Sequence, residues 1–327
     1  MCHHFFNFVT IDKIDLMEKF NRDTIWRVHI PLLIVQITFG SLPPFSKLAL
    51  KYFPPMSIVF FRVFSTALLF STIFFLFKKE EVKEKKHFAW FALFGFFGVA
   101  GNQLFYLTGV SITTAVNAGI LVTTIPIFTL IVALLLRKEE LNFIKIVGVL
   151  VAFSGVAFLI DFGRFQLNEN LLGDLFIMAN SCFYAVYLVI SKKMLRIYNS
   201  FTVITYVFIF SAFLVAPFTM GSLSTINYAA IPMEGYLSLL MVLVGGTFIP
   251  YLVVTFALQN TQSTSVAIYS YLQPIIATLL SIMIVGEPLT LKLVISAAII
   301  IFGVSIVTFA GIFKFNKVFQ RIKGIIS

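Results

Sequence analysis

Charge is scarce in this chain. Asp, Glu, Lys and Arg make up 12% of its 327 residues, about half the share carried by a soluble globular domain. Cysteine is scarcer still: Cys2 and Cys182 cannot form a disulfide framework, which excludes the small cross-linked secreted scaffolds. The four histidines, His3, His4, His29 and His87, avoid the middles of the apolar runs. No two of them have metal-ligand spacing beside a carboxylate or thiol. No metal and no cofactor is called for, and an integral-membrane enzyme would need a His, Asp or Glu cluster at one membrane face that the sequence does not offer. The first twenty-five residues are interrupted by Asp12, Asp15, Glu18 and Asp23 and lack a small-residue cleavage site, so they do not read as a secretory signal. Met17 opens a more ordinary stretch, and residues 1–16 read as an over-extended start.

What is present is apolar length. Hydrophobic residues make up 59% of the chain and fall in runs of about twenty, the length a helix needs to cross a hydrocarbon core. Neither strand alternation nor a polar stripe of helical period breaks these runs. The reading is an all-α integral membrane protein with ten transmembrane helices in two inverted five-helix repeats. The spans lie at about 28–50, 55–77, 88–109, 112–136, 143–161, 171–191, 201–220, 235–258, 264–285 and 291–311. Residues 1–27 form a cytoplasmic N-terminal segment, 28–161 the first repeat, 162–311 the second and 312–327 a basic cytoplasmic tail. The forty phenylalanines need no more than a generally apolar, lipid-facing surface.

Lys and Arg beside the spans set the orientation. With a cytoplasmic N-terminus, the inside holds Lys13, Lys19, Arg22, Arg27, Lys78, Lys79, Lys83, Lys85, Lys86, Arg137, Lys138, Lys145, Lys192, Lys193, Arg196, Lys314, Lys317, Arg321 and Lys323; the outside holds Lys47, Lys51, Arg164 and Lys292. One missed or invented span would scramble so strong an asymmetry. The net charge of +10 is therefore mostly topology and requires no nucleic-acid partner. The amphipathic tail from Phe313 to Lys323 suits the anionic lipids of the inner leaflet of a cytoplasmic (inner) membrane. Oligomeric state has no signature here.

The halves repeat. Pro126, Glu139 and Gly155 recur as Pro274, Glu287 and Gly303 with identical spacing. Thr113-Thr114-Ala115 is matched to Thr264-Ser265-Val266, with the second copy three residues shorter before its proline, and Phe45-Ser46-Lys47 to Ile190-Ser191-Lys192. A half with an odd number of spans inserts its duplicate upside down, the architecture of many alternating-access carriers. The pieces Phe39-Gly40-Ser41 through Lys47, Arg62, Thr113 through Ala118 leading to Pro126, Gly173-Asp174, and Pro274 with Gly286-Glu287 together resemble the EamA-type members of the drug/metabolite transporter superfamily. The resemblance covers residues 28 to 311 as two tandem units, departing at Pro43-Pro44 inside the first span and at Arg137-Lys138-Glu139, where the family often has Gly-Glu. It implies a small-solute carrier and leaves the solute open, with a multidrug or other-metabolite exporter and a non-transporting membrane scaffold as the alternatives.

Candidate site residues follow from what is costly in lipid. Arg62 is the one charge placed well inside the hydrocarbon, so it must face protein or water. It serves either as a counter-charge for a solute carboxylate or phosphate or as a cap on helix carbonyls, with the cap favoured. Glu139, Glu140 and Glu287 fall at span ends and Asp174 near an outer end; with no mid-span acid, alternating binding of proton and lipophilic cation is disfavoured. Gln36, Asn102, Tyr106, Asn117, Asn180, Tyr184, Tyr251, Tyr269 and Gln273 are the expected solute-binding residues, with Gln103, Thr124, Tyr187 and Thr255 as further lining. Buried amides need partners, which a hydrated cavity supplies, and tyrosines add flat faces with a hydrogen-bonding tip. Tyr269, Gln273 and Asn117 rank highest, being nearest the paired prolines. Pro126 and Pro274 are expected hinges, and Pro250 a static bend. Gly95, Gly98 and Gly101, and the face Gly148, Ala152 and Gly155, point to close helix packing. This mixture suits a small zwitterion or uncharged metabolite, such as an amino acid, better than a polyanion.

Overall fold

The computed structural model describes residues 28–77, 80–113, 115–138, 143–160, 171–276, 279, 291–292 and 294–307. The N-terminal segment, the basic tail, Glu139, Glu140 and Glu287 lie outside the described residues, as does the side chain of Asn117. No strand occurs among the described residues.

Among the described residues, six helices are long and apolar enough to cross a membrane: α1 Ile30–Ala49, α2 Pro55–Leu76, α3 Lys86–Ile112, and three more running Leu171–Leu195, Ser200–Thr225 and Met233–Asn260. Between α3 and the later group lie α4 Ala115–Val122, α5 Ile125–Leu135 and α6 Phe143–Ile160. The later helices are α7, regular over Leu171–Ile190, α8 over Ser200–Thr219, and α9 over Met233–Asn260. The short α10 Ser263–Ala267 and α11 Val294–Val307 follow. Proline opens several of them, at the first turns of α1, α2 and α5, where its missing N–H has no intrahelical partner to lose. Asn199 caps α8, its side chain accepting from the Phe201 N–H.

Large apolar side chains face outward all along these helices; Leu68, Phe75, Phe213 and Phe218 are each at least 65% exposed. Such a surface is stable with lipid as its solvent. The phenylalanines do more than coat it, however. Where α2 packs against α8, Phe70 is fully buried and meets Phe201, Phe208 and Phe248 at centroid distances of 4.8–5.7 Å. Phe91 stacks on Tyr206 at 5.3 Å.

α3 and α9 are built alike. Each is interrupted by a five-residue π-helical segment, Phe96–Ala100 in α3 and Val244–Phe248 in α9, followed by a twelve-residue α-helical stretch. Each then ends on an extended threonine, Thr113 or Thr261, whose N–H bonds the carbonyl four residues back. All these features stand 148 positions apart, the spacing of Pro126 from Pro274 and of Gly155 from Gly303. The expected match of Thr113 to Thr264 is thereby corrected: Thr113 pairs with Thr261, and the described segments need no deletion before the second proline.

Glycines carry the closest approaches. A Cβ on Gly98 would lie 2.5 Å from the Tyr187 ring, and one on Gly246 would lie 2.4 Å from Leu42. Leu42 and Tyr187 sit at corresponding places on α1 and α7, so the two approaches are counterparts. Gly148 and Gly155 of α6 face Val307 and Ile300 of α11, with Gly303 against Ala152, which is the close-packed face expected there. Pro43 and Pro44 stay inside α1 without ending it.

Candidate functional site

The site starts from two interrupted helices. A π-helical segment carries one residue too many for the regular ladder and leaves carbonyls to be satisfied from outside. In α9 the interruption is followed by Pro250, which has no N–H to offer Gly246, four residues earlier. Arg62 takes that carbonyl: its Nη2 donates to the Gly246 oxygen at 2.9 Å and its Nε to the Thr247 hydroxyl at 2.8 Å. In α3 the counterpart carbonyl is that of Gly98, and the Tyr251 hydroxyl lies 2.8 Å from it. Each interruption is thus capped by a side chain from the other half of the chain.

The capping groups continue into a polar network. The Tyr251 hydroxyl shares its proton between Gly98 O and Asn102 Oδ1, 3.1 Å away, and accepts from Gln103 Nε2 at 3.2 Å. Asn102 and Asn180 form a reciprocal pair, each side-chain amide donating to the other's backbone carbonyl at 3.2 and 2.9 Å, which ties α3 to α7. Gln36 donates to Leu32 O within α1 and accepts from Gln273 Nε2 at 3.0 Å.

These residues surround a cavity of about 80 Å³, room for a handful of waters at roughly 10–15 Å³ each on the same measure. Its lining comes in counterpart positions from the two halves: Gln103 with Tyr251, Tyr106 with Val254, Val122 with Ser270, Ile125 with Gln273, Phe39 with Tyr184 and Pro43 with Leu188. Arg62 also lines it, 2% exposed, and is the one charged residue among the described lining. Its guanidinium carbon stands 5.8 Å from the Tyr106 ring centre. Several buried polar atoms here have no hydrogen-bond partner among the described residues: Arg62 Nη1, Gln103 Oε1, Ser270 Oγ and the Tyr184 hydroxyl.

Of the expected solute-binding residues, Gln36, Asn102, Tyr106, Asn180, Tyr184, Tyr251 and Gln273 line this cavity. Tyr269 is buried elsewhere, its hydroxyl 2.7 Å from His29 Nδ1. The 3-10 stretch Ile268–Leu272 explains the turn: at 3.0 residues per turn it points successive side chains in directions a regular helix would not. Asn117 lies in α4, its side chain outside the described ones. Tyr187 and Thr255 bond each other at 3.1 Å away from the lining, and Thr124 bonds Leu121 O within its own turn. Pro126 does not kink a continuous helix; the chain turns at Thr123-Thr124 and Pro126 opens α5. Pro274 lies in the helical turn that begins at Gln273, just after the 3-10 stretch, and is buried. Pro250, expected as a plain bend, creates the carbonyl that Arg62 caps. Gln103 and Ser270 belong to the lining too; Ser270 was signalled only by its place 148 positions after Val122.

A model of the EamA-like transporter family matches residues 26–161 and 171–309. A protein named "Uncharacterized transporter" from Archaeoglobus fulgidus is 28% identical over 287 residues, covering 86% of this chain and 97% of the relative. The "Uncharacterized transporter YyaM" of Bacillus subtilis is 23% identical, with 89% and 95% covered. A crystal structure with 17% sequence identity superposes with a TM-score of 0.69 over 86% of this chain and 96% of the other, a likeness of fold.

Proposed function

The chain belongs to the EamA-like transporter family, and from that premise we propose that it is an alternating-access carrier of amino acids or similar small polar solutes, working as an exporter or facilitator. In this reading the membrane is crossed ten times by two five-helix repeats of opposite orientation, residues 28–161 and 162–311, with both termini cytoplasmic and the chain seated in the cytoplasmic (inner) membrane. The family and the named relatives point to a transporter rather than an enzyme.

One observation carries the reading. The cavity is lined at counterpart positions of both halves, and α3 and α9, the helices that cross beside it, are both interrupted there. Here the carbonyls freed by the interruptions are capped by Arg62 and Tyr251, side chains that themselves line the cavity, so each interruption fixes a lining group, and rocking one repeat against the other would expose the site to either side. Amide and tyrosine side chains, with one cation and no acid among the described lining, suit a zwitterion or neutral metabolite. The missing carboxylate argues for flux that does not run on a proton cycle at this site.

Purified protein in proteoliposomes, given a panel of labelled amino acids with and without a pH gradient, tests the proposal. Saturable flux indifferent to the gradient is expected. Gradient-dependent flux would place a proton site elsewhere, and absence of flux for every member would remove the amino-acid assignment.

A further inference from the structure

We propose that the cavity recognises its solute by a carboxylate, received end-on by Nη1 of Arg62, and that it selects small monocarboxylates bearing a second, hydrogen-donating group, such as α-amino or 2-hydroxy acids. This rests on the carrier reading and names the solute class for the same cavity.

The Arg62 side chain is held as a rigid fork. Nε is fixed on Thr247 and Nη2 on Gly246 O, and the group is 2% exposed. Its third nitrogen, Nη1, has no partner among the described residues, although Arg62 lines the cavity. A buried guanidinium N–H left unpaired is costly, and more so because it is charged. A purely structural cap would account for Nε and Nη2 and leave Nη1 unexplained.

The charge makes the same point. Arg62 brings a full positive charge to the cavity wall, and no Asp or Glu is among the described lining residues. A single carboxylate both neutralises that charge and accepts from Nη1 in a charge-assisted hydrogen bond. The volume, about 80 Å³, favours small solutes as well. The second polar group follows from the other unpartnered atoms: Gln103 Oε1 can only accept, and the Tyr184 and Ser270 hydroxyls can do either. An ammonium or hydroxyl one or two bonds from the carboxylate satisfies that acceptor, and the Tyr184 and Tyr251 rings, centroids 6.2 Å apart, give an ammonium an aromatic face.

The test needs no transport. The thermal stability of purified protein in detergent is measured with the twenty amino acids and their 2-hydroxy-acid analogues, each beside its primary amide and its decarboxylated counterpart, an amine or an alcohol. At least one acid is expected to raise the melting temperature saturably, with amide and amine binding at least tenfold more weakly. Arg62→Gln is expected to lose the shift and Arg62→Lys to keep part of it. The inference is overturned if no acid stabilises, if amide or amine matches its acid, or if the shift survives in Arg62→Gln. Should Arg62→Gln fail to fold, the acid-against-amide comparison on the unaltered protein decides. Flux of amines and amides equal to that of acids would overturn the inference while leaving the carrier standing; acid-specific stabilisation without flux would do the reverse.

Discussion

The interruptions in α3 and α9 share a backbone and differ in chemistry. Both place a five-residue π-helical segment before a twelve-residue helix, and both bring a glycine against a neighbour from α1 or α7. Yet the Gly98 carbonyl is met by a neutral phenol and the Gly246 carbonyl by a guanidinium. Position 250 is proline where its counterpart, 102, is asparagine. The repeated backbone supplies a place where two helices can open, and the side chains that differ make the place selective. A site with identical chemistry in both halves would carry two cations or none; this one carries one, so a solute can lie across it with distinguishable ends.

The comparison is broken most severely at Arg62. Arg62→Leu is expected to abolish flux and to destabilise by about 1–3 kcal/mol, because the Gly246 carbonyl is then buried without a donor; proteoliposome flux and a denaturation curve check both. The glycines sharpen the comparison. Gly98→Ala forces a methyl onto the Tyr187 ring, which is fully buried and hydrogen-bonded to Thr255, and should cost about 1–3 kcal/mol as overpacking. Gly246→Ala meets the mobile end of Leu42 and should cost under about 1 kcal/mol; equal losses would show that the two approaches are equally rigid. Tyr251→Phe removes the cap on Gly98 O and should cost about 1 kcal/mol, with a smaller fall in flux than at Arg62. The smallest effect belongs to Pro250→Ala. Restoring an N–H near Gly246 O competes with Arg62 for that carbonyl, so stability should change by less than about 1 kcal/mol while apparent solute affinity falls.

Much of this was legible in the sequence, because lipid punishes what it does not tolerate. Runs of apolar residues announce the long helices, and the spacing of Pro126, Glu139 and Gly155 against Pro274, Glu287 and Gly303 announces the repeat. Arg62 stands out because an unsupported charge could not stay where it is. The π-helical segments were not legible, since they differ from α-helix by one residue of winding and no residue type is reserved for them. Gly246 followed by Pro250 was the available hint. Register failed at Thr113, where similarity of short Thr/Ser strings outweighed the constant spacing, and Tyr269 was misleading because five residues of tighter winding turn it toward His29. Seven of the nine expected binding residues surround one cavity because amides and phenols in apolar helices have few other places to go.

The Arg62 cap has a consequence for how the protein is made. Its partner Thr247 lies 185 residues further along the chain, and a ribosome adding about 5–20 residues per second takes on the order of ten to forty seconds to produce it. Throughout that interval a nascent first half holds an arginine in α2 whose acceptors do not yet exist. Until then that arginine is costly in lipid, a cost eased where its head is drawn toward the membrane surface or kept hydrated. A messenger cut between the two halves should therefore yield a fragment that is degraded faster than the full chain, which pulse-chase labelling checks.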